Sequence, residues 1–241
     1  MPTKSDRPAL YRNLGDGRFA DVAPQLGLDR AILVMGANHG DLDNDGFEDV
    51  YLGTGHPSFR ALLPNRMFRN DGGKRFLDVT TAGGFGHLQK GHGVAFADLD
   101  EDGDQDLFEE LGGFFPGDHF PSALFENPTR GSSWITLRLR GTRSNRAAIG
   151  ARLRLELDTP AGPRTLHRLA GTGGSFGGSS FQQEIGLGDA TAIRLLEIRW
   201  PGSGTVQRFT DVLPRCGWIA TEGRPALEPF ELKPVRLGGV R

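Results

Sequence analysis

The chain is poor in several features that mark common protein classes. It has one cysteine, Cys216, so no intrachain disulfide can form. No histidine stands near Cys216 in sequence to activate its thiol, and the residue reads as a small core side chain beside Trp218. No apolar run approaches the roughly 20 residues that span a bilayer. Net charge is only −2, and no basic run interleaved with aromatics occurs, so nucleic acid and membrane are not expected partners. The N-terminus, Met1 to Asp6, is polar and carries no signal-peptide apolar core. The six histidines (His39, His56, His87, His92, His119, His167) show none of the spacings that hold zinc. Long apolar stripes at helical spacing are also missing.

What the chain has in excess is glycine, 36 of 241 residues, with 15 prolines between short apolar runs. That composition predicts an all-β chain rich in turns, of one or two domains. One stretch occurs twice: Asp41-Leu-Asp-Asn-Asp-Gly-Phe-Glu-Asp49 and Asp98-Leu-Asp-Glu-Asp-Gly-Asp-Gln-Asp106. Both read D-x-D-x-D-G-x-x-D. Aspartates at alternate positions, closed by another after a glycine turn, describe a loop that wraps carboxylates around one hard cation. Ca²⁺, which takes six to eight oxygens in irregular geometry, fits best. An EF-hand opens in the same way but needs Glu at position 12 and a helix on each side. Position 12 is Leu52 in the first copy and Glu109 in the second, and the flanks, such as Gly93-Val-Ala-Phe-Ala97, are strand-like.

Asp41 and Asp98 lie 57 residues apart, and Tyr11-Arg-Asn13, Phe68-Arg-Asn70 and Phe125-Glu-Asn127 recur at the same spacing. A fixed period of this length marks a repeating supersecondary unit. Each unit offers four strands. Strand one leads into the acidic loop (37–42, 93–99) and strand two leaves it (49–53, 106–111). Strand three is 10–13, 66–70 or 123–127, and strand four follows a glycine turn at 18–22 or 75–79. Four antiparallel strands per repeat is the plan of a propeller blade. About two blades cannot close a ring. The expectation is therefore further blades, a second chain, or a C-terminal domain that caps the open edges.

Gly93-Val-Ala-Phe-Ala-Asp-Leu-Asp-Glu-Asp-Gly-Asp-Gln-Asp-Leu107 resembles the FG-GAP/VCBS repeat of integrin-type β-propellers. The resemblance implies a Ca²⁺ ion in each loop, about two in all. By position, Asp41, Asp43, Asp45, Asp49 and the Phe47 carbonyl would hold one. Asp98, Asp100, Asp102, Asp106 and the Asp104 carbonyl would hold the other.

From Trp134 the repeat stops and period-2 alternation begins, with strands expected at 134–139, 151–157, 165–169, 181–185, 194–200, 206–209 and 217–221. This predicts an antiparallel β-sandwich. The segments Gly141-Thr-Arg-Ser-Asn-Arg-Ala-Ala-Ile-Gly150, Gly173-Gly-Ser-Phe-Gly177, Leu187-Gly188 and Leu196-Glu-Ile-Arg-Trp-Pro-Gly-Ser-Gly204 resemble the ASPIC/UnbV domain of cartilage-acidic-protein-like proteins. The organisation expected is a tail at 1–9, blades at 10–129, an ASPIC/UnbV domain at 130–222 and an extended tail at 223–241.

Other candidates are weaker. Gly171 to Gly178 lacks the lysine of a phosphate loop and reads as a turn presenting Phe176. Arg143, Asn145 and Arg146 offer an anion or carbohydrate site. Glu109, Glu110 and Asp118 flank a long insertion, with Phe114 and Phe115 placed to dock on the C-terminal domain. The resemblance implies a secreted, periplasmic or cell-surface adhesion or binding module with a protein or carbohydrate ligand. The alternatives are an enzyme or accessory factor of secondary metabolism and a structural fragment of a longer propeller.

Overall fold

The computed structural model describes residues 7–30, 32–56, 62–113, 115–128 and 131–238. Among these, every regular element is a strand. The first half is built from hairpins whose turns demand a left-handed backbone. β1 (Tyr11–Gly15) pairs with β2 (Arg18–Asp21), and the turn between them places Asp16 and Gly17 at positive φ.

The repeat is visible in the strand boundaries. β3 (Val34–Gly40), β4 (Asp49–Thr54), β5 (Arg66–Asn70) and β6 (Phe76–Asp78) form one four-stranded antiparallel sheet in sequence order. β7 (Gly91–Ala97), β8 (Asp106–Leu111) and β9 (Ala123–Phe125) form the next in the same order. β7 and β8 begin and end 57 residues after β3 and β4, and both first hairpins carry a register shift near their start. These are β-propeller blades, one whole and one of three strands.

The blades meet face to face. Tyr51 and Met67 of one pack with Val94, Phe96 and Leu107 of the other, all at most 1 % exposed. A second cluster joins Leu52 and Phe68 to Ala23, Leu28 and Ile32 from the segment after β2. Fully burying each such side chain contributes about 1.5–3 kcal/mol.

The second half is a sandwich of two four-stranded sheets. One has the order β13 (Gln183–Gly188), β10 (Ser133–Arg140), β16 (Gly217–Thr221), β17 (Glu228–Phe230). The other has the order β12 (Gly162–Leu169), β11 (Arg152–Thr159), β14 (Ala192–Arg199), β15 (Val206–Phe209). Alternation on β10 and β11 sends Ile135, Leu137, Leu153, Leu155 and Leu157 into one core around Trp200. Cys216 is half-buried rather than a core residue, and Trp218 packs against the core from its edge.

Two features depart from the expectation. The β10–β16 pair is parallel, so the sandwich is not wholly antiparallel. The C-terminal segment also contributes β17, paired antiparallel to β16. A parallel pair needs a long connection, and here the whole second sheet lies between the two strands.

Candidate metal centre

Both acidic loops join strand one to strand two of a blade, and their internal bonds repeat at the 57-residue offset. Gly46 N–H donates to Asp41 Oδ2 at 3.0 Å, and Gly103 N–H donates to Asp98 Oδ2 at 3.1 Å. Leu42 N–H donates to Asp49 Oδ2 at 2.9 Å, and Leu99 N–H donates to Asp106 Oδ2 at 3.0 Å. The chain turns through a left-handed pair in each loop, Asn44 with Gly46 and Glu101 with Gly103. Glycine at the second position of each pair tolerates φ of +90° and +98° without a Cβ clash against its own backbone.

The closing aspartates are held from strand three. Asn70 N–H bonds Asp49 Oδ1 at 2.8 Å, and Asn127 N–H bonds Asp106 Oδ1 at 2.9 Å. The Asn70 amide reaches the Glu48 carbonyl at 3.1 Å, and the Asn127 amide reaches that of Gln105 at 3.0 Å. These two asparagines are the repeat anchors of the sequence. Their spacing marked them, but their task, fixing the last carboxylate of each loop, did not show there.

The carboxylates converge. Ligand oxygens of Asp41, Asp43 and Asp49 lie within 4.8 Å of one another, as do those of Asp98, Asp100 and Asp102. Asp45 Oδ1 accepts from Phe47 N–H at 2.7 Å. Asp41 Oδ1, Asp43 Oδ1 and Asp104 Oδ1 are buried and have no hydrogen-bond partner among the described residues. Buried carboxylate oxygens are ordinarily bonded, so these three leave room for a cation. Burial raises Asp41 to about 8 against the pull of Arg168, with Asp45, Asp49 and Asp43 adding to the rise. Burial likewise raises Asp49 and Asp98 to about 7, and Asp104 to about 8. A divalent ion reverses that balance by favouring the ionised form. The donor set is all oxygen, as a hard cation requires.

The loops also touch each other and the sandwich. Asn44 Nδ2 donates to the Gly103 carbonyl at 2.9 Å, and Asn127 Nδ2 donates to that of Leu42 at 2.7 Å. From β12, Arg164 donates to the Asp45 carbonyl at 2.8 Å and Arg168 donates to that of Gly46 at 3.0 Å. From β13, Glu184 accepts from Gln105 at 2.8 Å. No local pattern identifies Arg164, Arg168 or Glu184, because their partners stand some 80 to 120 residues away.

The remaining candidates resolve into structural roles. The glycine-rich segment is one of the joints between the halves. Ser175 exchanges two backbone bonds with Ala37 on the free edge of β3, at 2.7 and 3.3 Å. Gly177 lies so close to Val94 of β7 that a Cβ would sit 2.3 Å from the Val94 carbonyl oxygen. Phe176 is presented to solvent, 73 % exposed. The loop with Arg143, Asn145 and Arg146 does bind an anion, but an internal one: Thr142, Arg143 and Ser144 N–H all donate to Glu222 Oε2, at 2.8, 2.7 and 2.8 Å.

Glu109, Glu110 and Asp118 have separate surroundings. Glu109 is fully buried and accepts from Tyr51 Oη at 2.8 Å. Asp118 is in a buried ion pair with Lys90 at 2.5 Å, and Glu110 lines a cavity of about 510 Å³ with Phe115 and Phe176. Phe114 lies outside the described residues. His39 pairs with Glu48 at 3.1 Å, and His92 bonds the Gly112 carbonyl at 2.8 Å.

Blades with an acidic loop between their first two strands, followed by a β-sandwich that grips those loops, define a propeller-type repeat module. Family models place it further. The FG-GAP-like repeat matches residues 3–52 and 41–108, and the ASPIC and UnbV model matches residues 141–224. The chain carries FG-GAP-like repeats followed by an ASPIC/UnbV domain. No curated protein matches it significantly. None of the described residues forms a helix long and apolar enough to cross a membrane.

Proposed function

We propose that this chain is a Ca²⁺-stabilised binding module of the extracellular or periplasmic type, with a protein or carbohydrate ligand. The observation that carries it is the pair of loops with one hydrogen-bond skeleton and buried carboxylate oxygens that no group among the described residues bonds. Asp41, Asp43, Asp45, Asp49 and the Phe47 carbonyl would hold one ion. Asp98, Asp100, Asp102, Asp106 and the Asp104 carbonyl would hold the second. Bound Ca²⁺ supplies positive charge that cancels the repulsion among the aspartates, and so ties strand one to strand two in each blade.

Extracellular modules bind Ca²⁺ at roughly 10⁻⁴–10⁻³ M. An ion at about 100 times its dissociation constant stabilises the folded form by about 2.7 kcal/mol. The test is thermal unfolding of metal-stripped protein with and without 10 mM Ca²⁺, with Mg²⁺ as a control. Expected is a Tm several degrees higher with Ca²⁺ and a smaller rise with Mg²⁺. An unchanged Tm sinks the reading.

A further inference from the structure

We propose that the two loops are unequal: the loop 98–106 is the high-affinity cation site, and the loop 41–49 is a weaker one whose carboxylates already share an internal cation, Arg168. This rests on the Ca²⁺ reading above and extends it. The repeat gives both loops the same skeleton, so any difference must come from what the rest of the chain places around them.

Around the first loop stand three guanidinium groups. Arg168 lies 3.6 Å from Asp41 Oδ2 and 3.4 Å from Glu48, with its side chain only 12 % exposed. Arg69 lies 3.5 Å from Asp43 Oδ2. Arg164 bonds the Asp45 carbonyl at 2.8 Å and the Leu187 carbonyl at 2.7 Å. A cation entering this loop must share Asp41 and Asp43 with charges of its own sign. Burial of Arg168 keeps that competition largely unscreened by salt.

The second loop is surrounded differently. Among the described residues, the one guanidinium paired to it is Arg138, and its partner at 3.8 Å is Glu101, not one of the alternating aspartates. The seventh position, Phe47 in the first loop, is Asp104 in the second. Asp104 is 4 % exposed, and its Oδ1 has no partner among the described residues. It stands outside the tight group of Asp98, Asp100 and Asp102, so it acts by adding charge close to the ion. Glu184, bonded to Gln105, adds a further carboxylate beside Asp98. Calcium affinity in oxygen-ligand loops rises with the negative charge of the site and falls with competing positive charge.

Trp134 reports cation entry at the loops, and the variants assign each phase to its loop. Its ring lies against Gly103, where a Cβ would come within 2.1 Å of Cε2. A terbium ion in the second loop is therefore excited through this indole. The full chain is titrated with Tb³⁺ by luminescence and with Ca²⁺ by calorimetry. Expected are two phases separated by about tenfold or more, as charge count tunes such loops. Asp104→Asn weakens the tight phase about tenfold and leaves the other in place. Arg168→Gln tightens the weak phase. Arg69→Gln, at a side chain 44 % exposed, does the same without disturbing the domain contact. Two equal phases, or an Asp104→Asn variant with an unchanged tight phase, overturns this proposal alone. Absence of any binding overturns the Ca²⁺ reading with it.

Discussion

Glu222 is the sharpest place to test how the C-terminal domain is held, because its contribution does not involve the acidic loops. Its carboxylate is 5 % exposed and accepts three backbone N–H groups on Oε2 and the hydroxyls of Ser144 and Ser203 on Oε1. It ties the loop after β10 and the turn after β14 to the end of β16. Glu222→Ala leaves the N–H groups of Thr142, Arg143 and Ser144 facing a void. Each charge-assisted bond is worth about 1.5–3 kcal/mol, but the three share one acceptor oxygen and water can re-bond part of the loop. The expected loss is therefore about 3–5 kcal/mol rather than the sum. Glu222→Gln keeps one acceptor oxygen for the three N–H groups and offers an amide to hydroxyls that can reorient, so about 1–2 kcal/mol is expected. Urea unfolding with EDTA present throughout measures both. The pH dependence gives an independent check. Burial pushes Glu222 up, but the bonds from Ser144, Ser203, Thr142 and Arg143 outweigh it and hold the carboxyl well below the usual range. A folded pKa below the unfolded value of about 4.3 stabilises fully above that value. The contribution is lost as pH falls toward the folded pKa. The gap between wild type and Glu222→Gln should hold from pH 8 to 5 and narrow below about pH 4.3. A Glu222→Ala penalty under about 1 kcal/mol, or a gap that widens in acid, refutes the reasoning.

Two further outcomes follow from single positions. Gly103→Ala puts a Cβ 2.1 Å from the Trp134 ring at φ +98°, while Gly46→Ala meets nothing closer than 3.1 Å at φ +90°. Both strain the backbone, but Gly103→Ala should cost about 2 kcal/mol more in chemical unfolding; equal losses would mean that the indole yields freely. Burial raises Glu109 to about 7, with Tyr51 and Asn65 bonds opposing the rise. A carboxyl whose folded pKa lies above its unfolded value favours folding least when ionised, so wild-type stability should decline between about pH 4.3 and 7 through this group. Glu109→Gln should flatten that decline and match or exceed wild type at pH 8; a variant less stable at pH 8 than at pH 4 relative to wild type contradicts it.

The blades were legible because their information is local. Turn glycines, alternating carboxylates and a fixed 57-residue offset are local signals, and they place β4 and β8 closely, while β3 and β7 begin and end two to three residues earlier than expected. The parallel β10–β16 pair was not legible, since nothing in Trp134–Leu139 or Gly217–Thr221 encodes which distant strand it meets or in what direction. The same holds for Glu222. The sequence marked an anion-binding loop at Arg143 to Arg146 but not the anion, which lies 78 residues further on. Nothing local to the strand at 165–169 marks Arg168. It is a functional neighbour only because the two halves dock.

The joint made by Ser175 has a consequence for assembly. The inner edge of a blade is an open row of backbone donors and acceptors, and such edges recruit strands from other molecules. In this chain the edge of β3 is met by Ala37–Ser175 bonds, and the approach to β7 is closed by Gly177. The glycine-rich segment thus works as a stopper at the hub of the blades. Blades separated from the sandwich would bare that edge, so the isolated blades should self-associate at concentrations where the whole chain does not.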